Sequence, residues 1–309
     1  MAKLIPCDAS YNYGYGRPKL SSGRVHPYLI YGTGFKEDRT EALAGLALVN
    51  GFKGVDSANY PTAYQEDQVG NALQKALEAG VKREDILVQT KFTPAWAHAK
   101  GKLPYNADQP LEGQVWESVE QSFKNLQVEF IDALLLHVPY ENEDDTLIVW
   151  RVLESFVPDR VGVIGVSNFS LPALEKLYDA AIVKPEIVQN RFHEKNGFDI
   201  PLREFIARRG GIVYQAFSLL KANKEVLASD VVTRLAARFD IQKELAFYLL
   251  VLGLGNMSIV NGTTSEAHMQ MDLKKVDEIL GSSNTVDEVK SYLGEFEALL
   301  NKVAGGVEA

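Results

Sequence analysis

Eight short apolar runs, alternating with longer stretches of helical period along 309 residues, predict an α/β protein of the closed (β/α)8 class, a TIM barrel in a single domain. Most of the runs are apolar on successive residues, as in parallel strands buried on both faces. The stretches between them place apolar residues three and four apart, the spacing of an amphipathic helix. The length suits a barrel of about 250 residues plus insertions. An open doubly wound sheet is the alternative; it needs a reversal of strand order that a sequence does not display.

In chain order, the predicted strands are 27–32 (PYLIYG), 54–57 (GVDS), 85–92 (DILVQTKF), 130–138 (FIDALLLHV), 161–167 (VGVIGVS), 186–192 (EIVQNRF), 211–218 (GIVYQAFS) and 257–261 (MSIVN). Helical stretches include 40–48, 67–78, 111–126 and 171–179. The Gly- and Tyr-rich residues 1–26 are expected to form a hairpin or plug ahead of the barrel, and about 280–309 a C-terminal tail and helix, all within one domain of 1–309. The irregular stretch 93–110 directly follows the third strand and carries Trp96 and Tyr105. A loop that long is usually functional, and a substrate lid is the expectation.

Composition narrows the function. The net charge of −9 disfavours nucleic acid and anionic membrane surfaces as partners. The single cysteine, Cys7, excludes an intrachain disulfide and fits a reducing compartment. The start MAKLIPCDAS lacks a signal-peptide core, and no run reaches the ~18 apolar residues of a membrane span, so a cytoplasmic protein is expected. His26, His98, His137, His193 and His268 show no metal-ligand spacing, so no metal is expected. Gly32-Thr33-Gly34 resembles the opening of a dinucleotide fingerprint, but Glu37 stands where the third glycine belongs, which disfavours a Rossmann domain.

Barrel active sites lie at the C-terminal ends of the strands. There the second, third and fourth strands carry Asp56, Lys91 and His137, and a Tyr-rich segment, 59–65 (NYPTAYQ), follows the second. Carbonyl reduction needs a proton donor for the developing alkoxide. A phenol, with an ordinary pKa near ~10, is a weak acid that an adjacent ammonium strengthens. A carboxylate holds that ammonium charged, and an imidazole can orient the carbonyl or share the proton. Each residue also has a bland explanation: a rim ion pair, a structural His, a packed Tyr.

At these residues the sequence resembles the aldo-keto reductase family, over about residues 27–273. GFKGVDSAN, YQEDQVGNAL, ILVQTKF, IDALLLHVP and VIGVSNFS match family segments in the right order. The resemblance implies an NAD(P)H-dependent oxidoreductase that interconverts aldehydes or ketones and alcohols. It implies Tyr64 as general acid, Asp56 and Lys91 as its tuning pair, and His137 as the substrate-orienting residue. Tyr60 is the rival acid; Tyr64 is preferred because it precedes the acidic, helix-opening YQEDQVG.

For the cofactor, the resemblance implies that Ser167, Asn168 and Gln189 bind the nicotinamide carboxamide, whose amide suits neutral donors and acceptors. Gly32 and Thr33 line the nicotinamide ribose, Phe217 stacks on the ring in place of a family Tyr, and Ser218 and Leu220 flank the pyrophosphate. Gly262, Thr263 and Thr264 form the last cofactor turn, where His268 replaces a 2′-phosphate-binding Arg and Asp272 an adenine-binding Asn. A neutral imidazole grips a phosphate less well than a forked guanidinium. NADP(H) is therefore the expected cofactor, with weakened preference over NAD(H), or dual use. Trp96, His98 and Tyr140 are candidate substrate walls. A monomer is expected, and a cofactor-binding regulatory subunit with little turnover is the alternative function.

Overall fold

The computed structural model describes residues 16–305. Eight parallel strands close on themselves in sequence order: β1 (Leu29–Gly32), β2 (Gly54–Asp56), β3 (Leu87–Phe92), β4 (Ile131–Leu136), β5 (Val161–Ser167), β6 (Ile187–Arg191), β7 (Val213–Phe217) and β8 (Met257–Asn261). β1 pairs with β8 through Tyr31 and Asn261, which seals the barrel. All eight predicted strands are present, β5 and β8 with the predicted bounds and the other six trimmed by one to three residues where turns claim the ends. Residues Arg83–Asp85, for example, form a 3-10 turn ahead of β3.

The first six connections carry helices α1 (Thr40–Val49), α2 (Glu66–Glu78), α3 (Leu111–Leu126), α4 (Glu143–Glu154), α5 (Leu171–Ala180) and α6 (Ile200–Arg209). Between β7 and β8 run two short helices, α7 (Leu219–Ala222) and α8 (Lys224–Leu227), then α9 (Asp230–Phe239) and α10 (Lys243–Leu252). After β8 come α11 (Glu266–Leu280), α12 (Ser283–Lys290) and α13 (Leu293–Gly305). The expected C-terminal tail is thus almost wholly helical, and Phe296 of α13 packs edge-on against Phe247 of α10.

Strand alternation splits the molecule into two cores. Outward residues such as Val55, Val88, Leu134, Ile164, Val188 and Ile259 pack beneath the helices. Inside the barrel, Leu20, Ala133, Leu135, Val163, Ile187 and Val213 form a separate apolar cluster. Leu20 comes from the segment below the barrel, where Lys19 and Val25 pair antiparallel. The rest of the expected 1–26 plug, residues 1–15, lies outside the described residues. Arg24 from this segment and Arg83 both bind Asp132, at 2.7 and 2.8 Å, tying the closed end together.

The rest of the interior holds a polar cluster, to which β6 and β7 also contribute. Asp56 pairs in register with Gln89, Gln89 with Ala133, and Gln189 with both Ser167 and Gln215. Gln89, Gln215, Lys91, Asp56 and Gln189 are all buried. Among the described residues no helix is long and apolar enough to cross a membrane.

Candidate active site

Asp56 ends β2, and Lys91 lies two residues beyond Gln89 on β3, so both β3 side chains share the inward face. The Lys91 ammonium donates to Asp56 Oδ1 and to the Ser57 carbonyl, each at 2.7 Å. Asp56 Oδ1 also accepts from Gln89 Nε2 at 2.6 Å and Gln189 Nε2 at 3.0 Å. Three donors on one oxygen suit a carboxylate. Burial pushes the Lys91 ammonium down, and the Asp56 charge and hydrogen bond oppose that push. An ion pair with this many partners is the form the geometry supports.

Tyr64 stands over this pair, with Lys91 Nζ 5.0 Å from its ring centroid. A tight turn places it: Ala63 N and Tyr64 N both donate to the Tyr60 carbonyl. Two residues on, Glu66 opens α2 and is clamped by Thr90, Ser122 and Asn125, which fixes the chain just past the phenol. A Cβ added at Gly34 would come within 3.3 Å of the Tyr64 ring, so the loop after β1 makes room for it by omission. Burial, then the Asp56 charge and Tyr60, push the phenol up, so it stays protonated at neutral pH.

His137 follows β4 and faces both tyrosines, its ring 6.1 Å from Tyr64 and 5.8 Å from Tyr60. Its pKa is pushed down to about 3 by burial, with the Lys91 charge and His98 adding to the push. The imidazole is therefore neutral over the whole working range. Its Nδ1 shares a 2.8 Å hydrogen bond with the Thr93 hydroxyl, a residue that sequence reasoning missed. The Thr93 carbonyl in turn accepts from Tyr105 at 2.7 Å and bonds His98 Nε2 at 3.1 Å. The 93–110 stretch is thereby pinned beside the imidazole. Tyr60 is sandwiched edge-on between His98 and His137. Tyr140 is half-buried, with a buried hydroxyl that has no partner, whereas Trp96 is exposed.

The remaining predicted residues also cluster at the C-terminal strand ends. Thr33, after Gly32, donates through both N and Oγ1 to the Asp56 carbonyl, locking the first and second strand ends together. Ser167 Oγ donates to the Gln189 carbonyl. Asn168 takes left-handed backbone angles (φ 58°) and donates to the His137 carbonyl at 2.9 Å and Ser167 Oγ at 3.1 Å. Both Asn168 Nδ2 hydrogens and both Gln189 Nε2 hydrogens are thus used internally. Each amide keeps its oxygen for a donor from outside. Phe217 is half-buried at the end of β7, followed by Ser218, with Leu220 in α7.

Beyond β8, Asn261 organises the turn: its Oδ1 accepts from Thr263 N, and its Nδ2 donates to Asp272 at 2.8 Å. Asp272 therefore has an internal partner, and burial raises its pKa. Ser265 caps α11, whose exposed first turns hold His268; Gly262 and Thr264 are also exposed. Lys36, another residue that sequence reasoning missed, donates to the Gly262 carbonyl. Burial, then the charges of Lys221 and Arg39, push its ammonium down, so three cations crowd this edge. The donor set fits a nicotinamide dinucleotide: free amide oxygens on one side of the mouth, and cations beside a helix N-terminus on the other. Among the described residues no cluster of His, Cys, Asp or Glu could hold a metal ion.

A closed (β/α)8 barrel with this ion pair, phenol and imidazole at its mouth defines an oxidoreductase scaffold. The sequence model described as "Aldo/keto reductase family" matches residues 28–225. A glyoxal reductase of Bacillus subtilis (strain 168) is 30% identical over 226 residues, covering 72% of this chain and 73% of the relative. A D-galacturonate reductase of Hypocrea jecorina is 28% identical over 286 residues, covering 84% and 85%. An aldo/keto reductase structure from Brucella melitensis superposes with a TM-score of 0.70 at 23% identity, over 89% of this chain and 98% of that one. The chain belongs to the aldo/keto reductase family. It is an NAD(P)H-dependent oxidoreductase acting on carbonyl and alcohol groups.

Proposed function

We propose that this enzyme reduces small oxygenated aldehydes or ketones with NADP(H), using Tyr64 as the general acid. The observation that carries the assignment is the stack of charges beneath the phenol: Asp56 holds Lys91 at 2.7 Å, and Lys91 lies 5.0 Å from the Tyr64 ring. When bound, the cofactor supplies the hydride. Tyr64 gives its proton to the developing alkoxide, and the Lys91 ammonium stabilises the phenolate left behind. His137, neutral, orients the carbonyl with a ring nitrogen, and Thr93 holds the opposite nitrogen. Asn168, Gln189 and Ser167 present acceptors for the carboxamide, and Phe217 offers a ring face for stacking. Gly32, Thr33, Ser218 and Leu220 line the ribose and pyrophosphate. Tyr60 lies on the substrate side, between two imidazoles, and has no corresponding ammonium.

The substrate class draws on the relatives, which are named for glyoxal and D-galacturonate, both rich in oxygen. The buried, unpartnered Tyr140 hydroxyl is a natural contact for such a substrate. Lys36, Lys221 and Arg39 favour an anionic cofactor end, whereas exposed His268 supplies less grip on a 2′-phosphate than an arginine would. The enzyme is accordingly expected to use both cofactors, with NADPH preferred modestly. Oxidation of NADPH and NADH is followed at 340 nm with glyoxal, methylglyoxal and D-galacturonate. Turnover that survives Tyr64→Phe but is abolished by Tyr60→Phe overturns the acid assignment. A kcat/KM preference for NADPH above ~1000-fold, about 4 kcal/mol, overturns the cofactor assignment. Cofactor binding without turnover of any carbonyl favours the regulatory-subunit alternative.

A further inference from the structure

Behind Asp56, on the side away from the open mouth, lies a chain of amides of which only Gln189 has been given a part in the reaction. Gln89 and Gln215 form a reciprocal pair, each donating its Nε2 to the other's Oε1 at 2.8 Å. Gln189 Nε2 also donates to Gln215 Oε1 at 2.8 Å. The second hydrogens of Gln89 and Gln189 go to Asp56 Oδ1. The second hydrogen of Gln215 meets His26 Nε2 at 3.0 Å, and His26 Nδ1 lies 2.9 Å from the Pro27 carbonyl. His26, Gln89 and Gln215 are wholly buried.

These contacts admit one sense only. A carbonyl accepts and never donates, so His26 carries its proton on Nδ1 and must accept at Nε2. That directs a Gln215 hydrogen to His26, and both of its hydrogens are then used. Gln215 Oε1 becomes the acceptor for Gln89 and Gln189, whose remaining hydrogens point at Asp56. Flipping any one of the three amides sets oxygen against oxygen. Barrel interiors are usually filled by branched aliphatic side chains, as the Leu135, Val163, Ile187 and Val213 cluster of this one is. Three glutamines in their place are an oriented dipole chain aimed at one carboxylate oxygen.

We propose that Gln89, backed by Gln215 and His26, is a positioning residue for the reduction: the amide chain fixes the Asp56 carboxylate, and through it Lys91 beneath Tyr64. This rests on the reading of Tyr64 and Lys91 given above. Gln89 touches neither substrate nor cofactor; it acts through Asp56.

Gln89→Met keeps the length and removes the hydrogen bonds. It is expected to lower kcat about 10- to 100-fold, since small misplacements of a catalytic group have effects of that order. KM for the carbonyl and the Kd for NADPH stay within about threefold, so the loss falls on kcat and not on binding. His26→Phe has a smaller effect in the same direction and adds nothing to Gln89→Met, because it acts along the same chain. A Gln89→Met enzyme that loses thermal stability while kcat stays within twofold, or whose loss lies in KM or Kd, overturns the proposal. Should that variant not fold, Gln215→Met is read by the same criteria. A measurement independent of turnover is 15N NMR of His26 in the wild-type protein at pH 7. A neutral ring protonated on Nδ1 is expected, and a proton on Nε2 overturns the chain's direction. Absence of carbonyl reduction by the wild type defeats the functional reading instead, and leaves the NMR result to decide the chain.

Discussion

Two clusters share the barrel interior and are built on opposite principles, although β6 and β7 feed both. On one, Leu135, Val163, Ile187 and Val213 fill space with branched aliphatics around Leu20. On the other, Asp56, Gln89, Lys91, Gln189 and Gln215 fill it with a charge pair and amides that satisfy one another. The apolar half draws its stability from area and close packing, so truncation leaves a cavity. The polar half forgoes that gain and has to saturate its hydrogen bonds merely to break even. What it gains is a carboxylate and an ammonium held at fixed positions under a phenol. Stability and positioning are thus assigned to different clusters, even where one strand feeds both: β6 gives Ile187 to the first and Gln189 to the second.

The sharpest way to break this contrast is Lys91→Met. Loss of the phenol's charge partner should reduce kcat by ~1000-fold or more, within the range of acid–base catalysis. It should also cost ~3–5 kcal/mol of stability by leaving Asp56 buried without its cation. Adding Asp56→Asn should restore much of the melting temperature and none of the rate; recovery of both would show that the pair is only structural. In the apolar cluster, Leu135→Ala should cost ~2–5 kcal/mol in denaturant unfolding with kcat within about twofold, and a large rate loss there would dissolve the contrast.

The pH dependence of stability separates the clusters less strongly. Burial holds His26 down to about 4 and His137 down to about 3, against an ordinary 6.5. The unfolded chain therefore takes up these protons first, so stability is full above pH 6.5 and falls as pH drops toward 4. His26→Phe should flatten that slope by up to ~1.4 kcal/mol per pH unit, read as melting temperature from pH 7 to 4. An unchanged slope would mean that His26 is not neutral in the fold. Smallest is Tyr214→Phe. Tyr214 neighbours Gln215 but points outward, its hydroxyl donating to Asp199 at 2.8 Å. Removal should cost ~1–2 kcal/mol and leave kcat unaltered.

Much of this was legible in the sequence because it depends on period and position. Alternation places Lys91 inward, and the ends of successive strands bring Asp56, Lys91 and His137 to one mouth. The same alternation puts Gln89 on the face of Lys91, a signal present in VQTK that attention to charged residues passes over. The amide chain was illegible for another reason: it needs the register between β6 and β7 and a histidine from outside the barrel. Helix α10 escaped because all its residues from Leu245 to Leu252 are buried, which erases the amphipathic stripe that periodicity detects. The Thr93 hydroxyl reaches a ring nitrogen and the Lys36 ammonium a carbonyl, and nothing in spacing announces either contact.

Thr93 joins two parts of the site that loops usually keep separate. Its hydroxyl meets His137, while its carbonyl anchors Tyr105 and His98 of the segment beside the mouth. A molecule that lifted this segment would tug on the residue that holds the imidazole. On the proposed mechanism, fit at the doorway would thereby be registered at the group that orients the carbonyl.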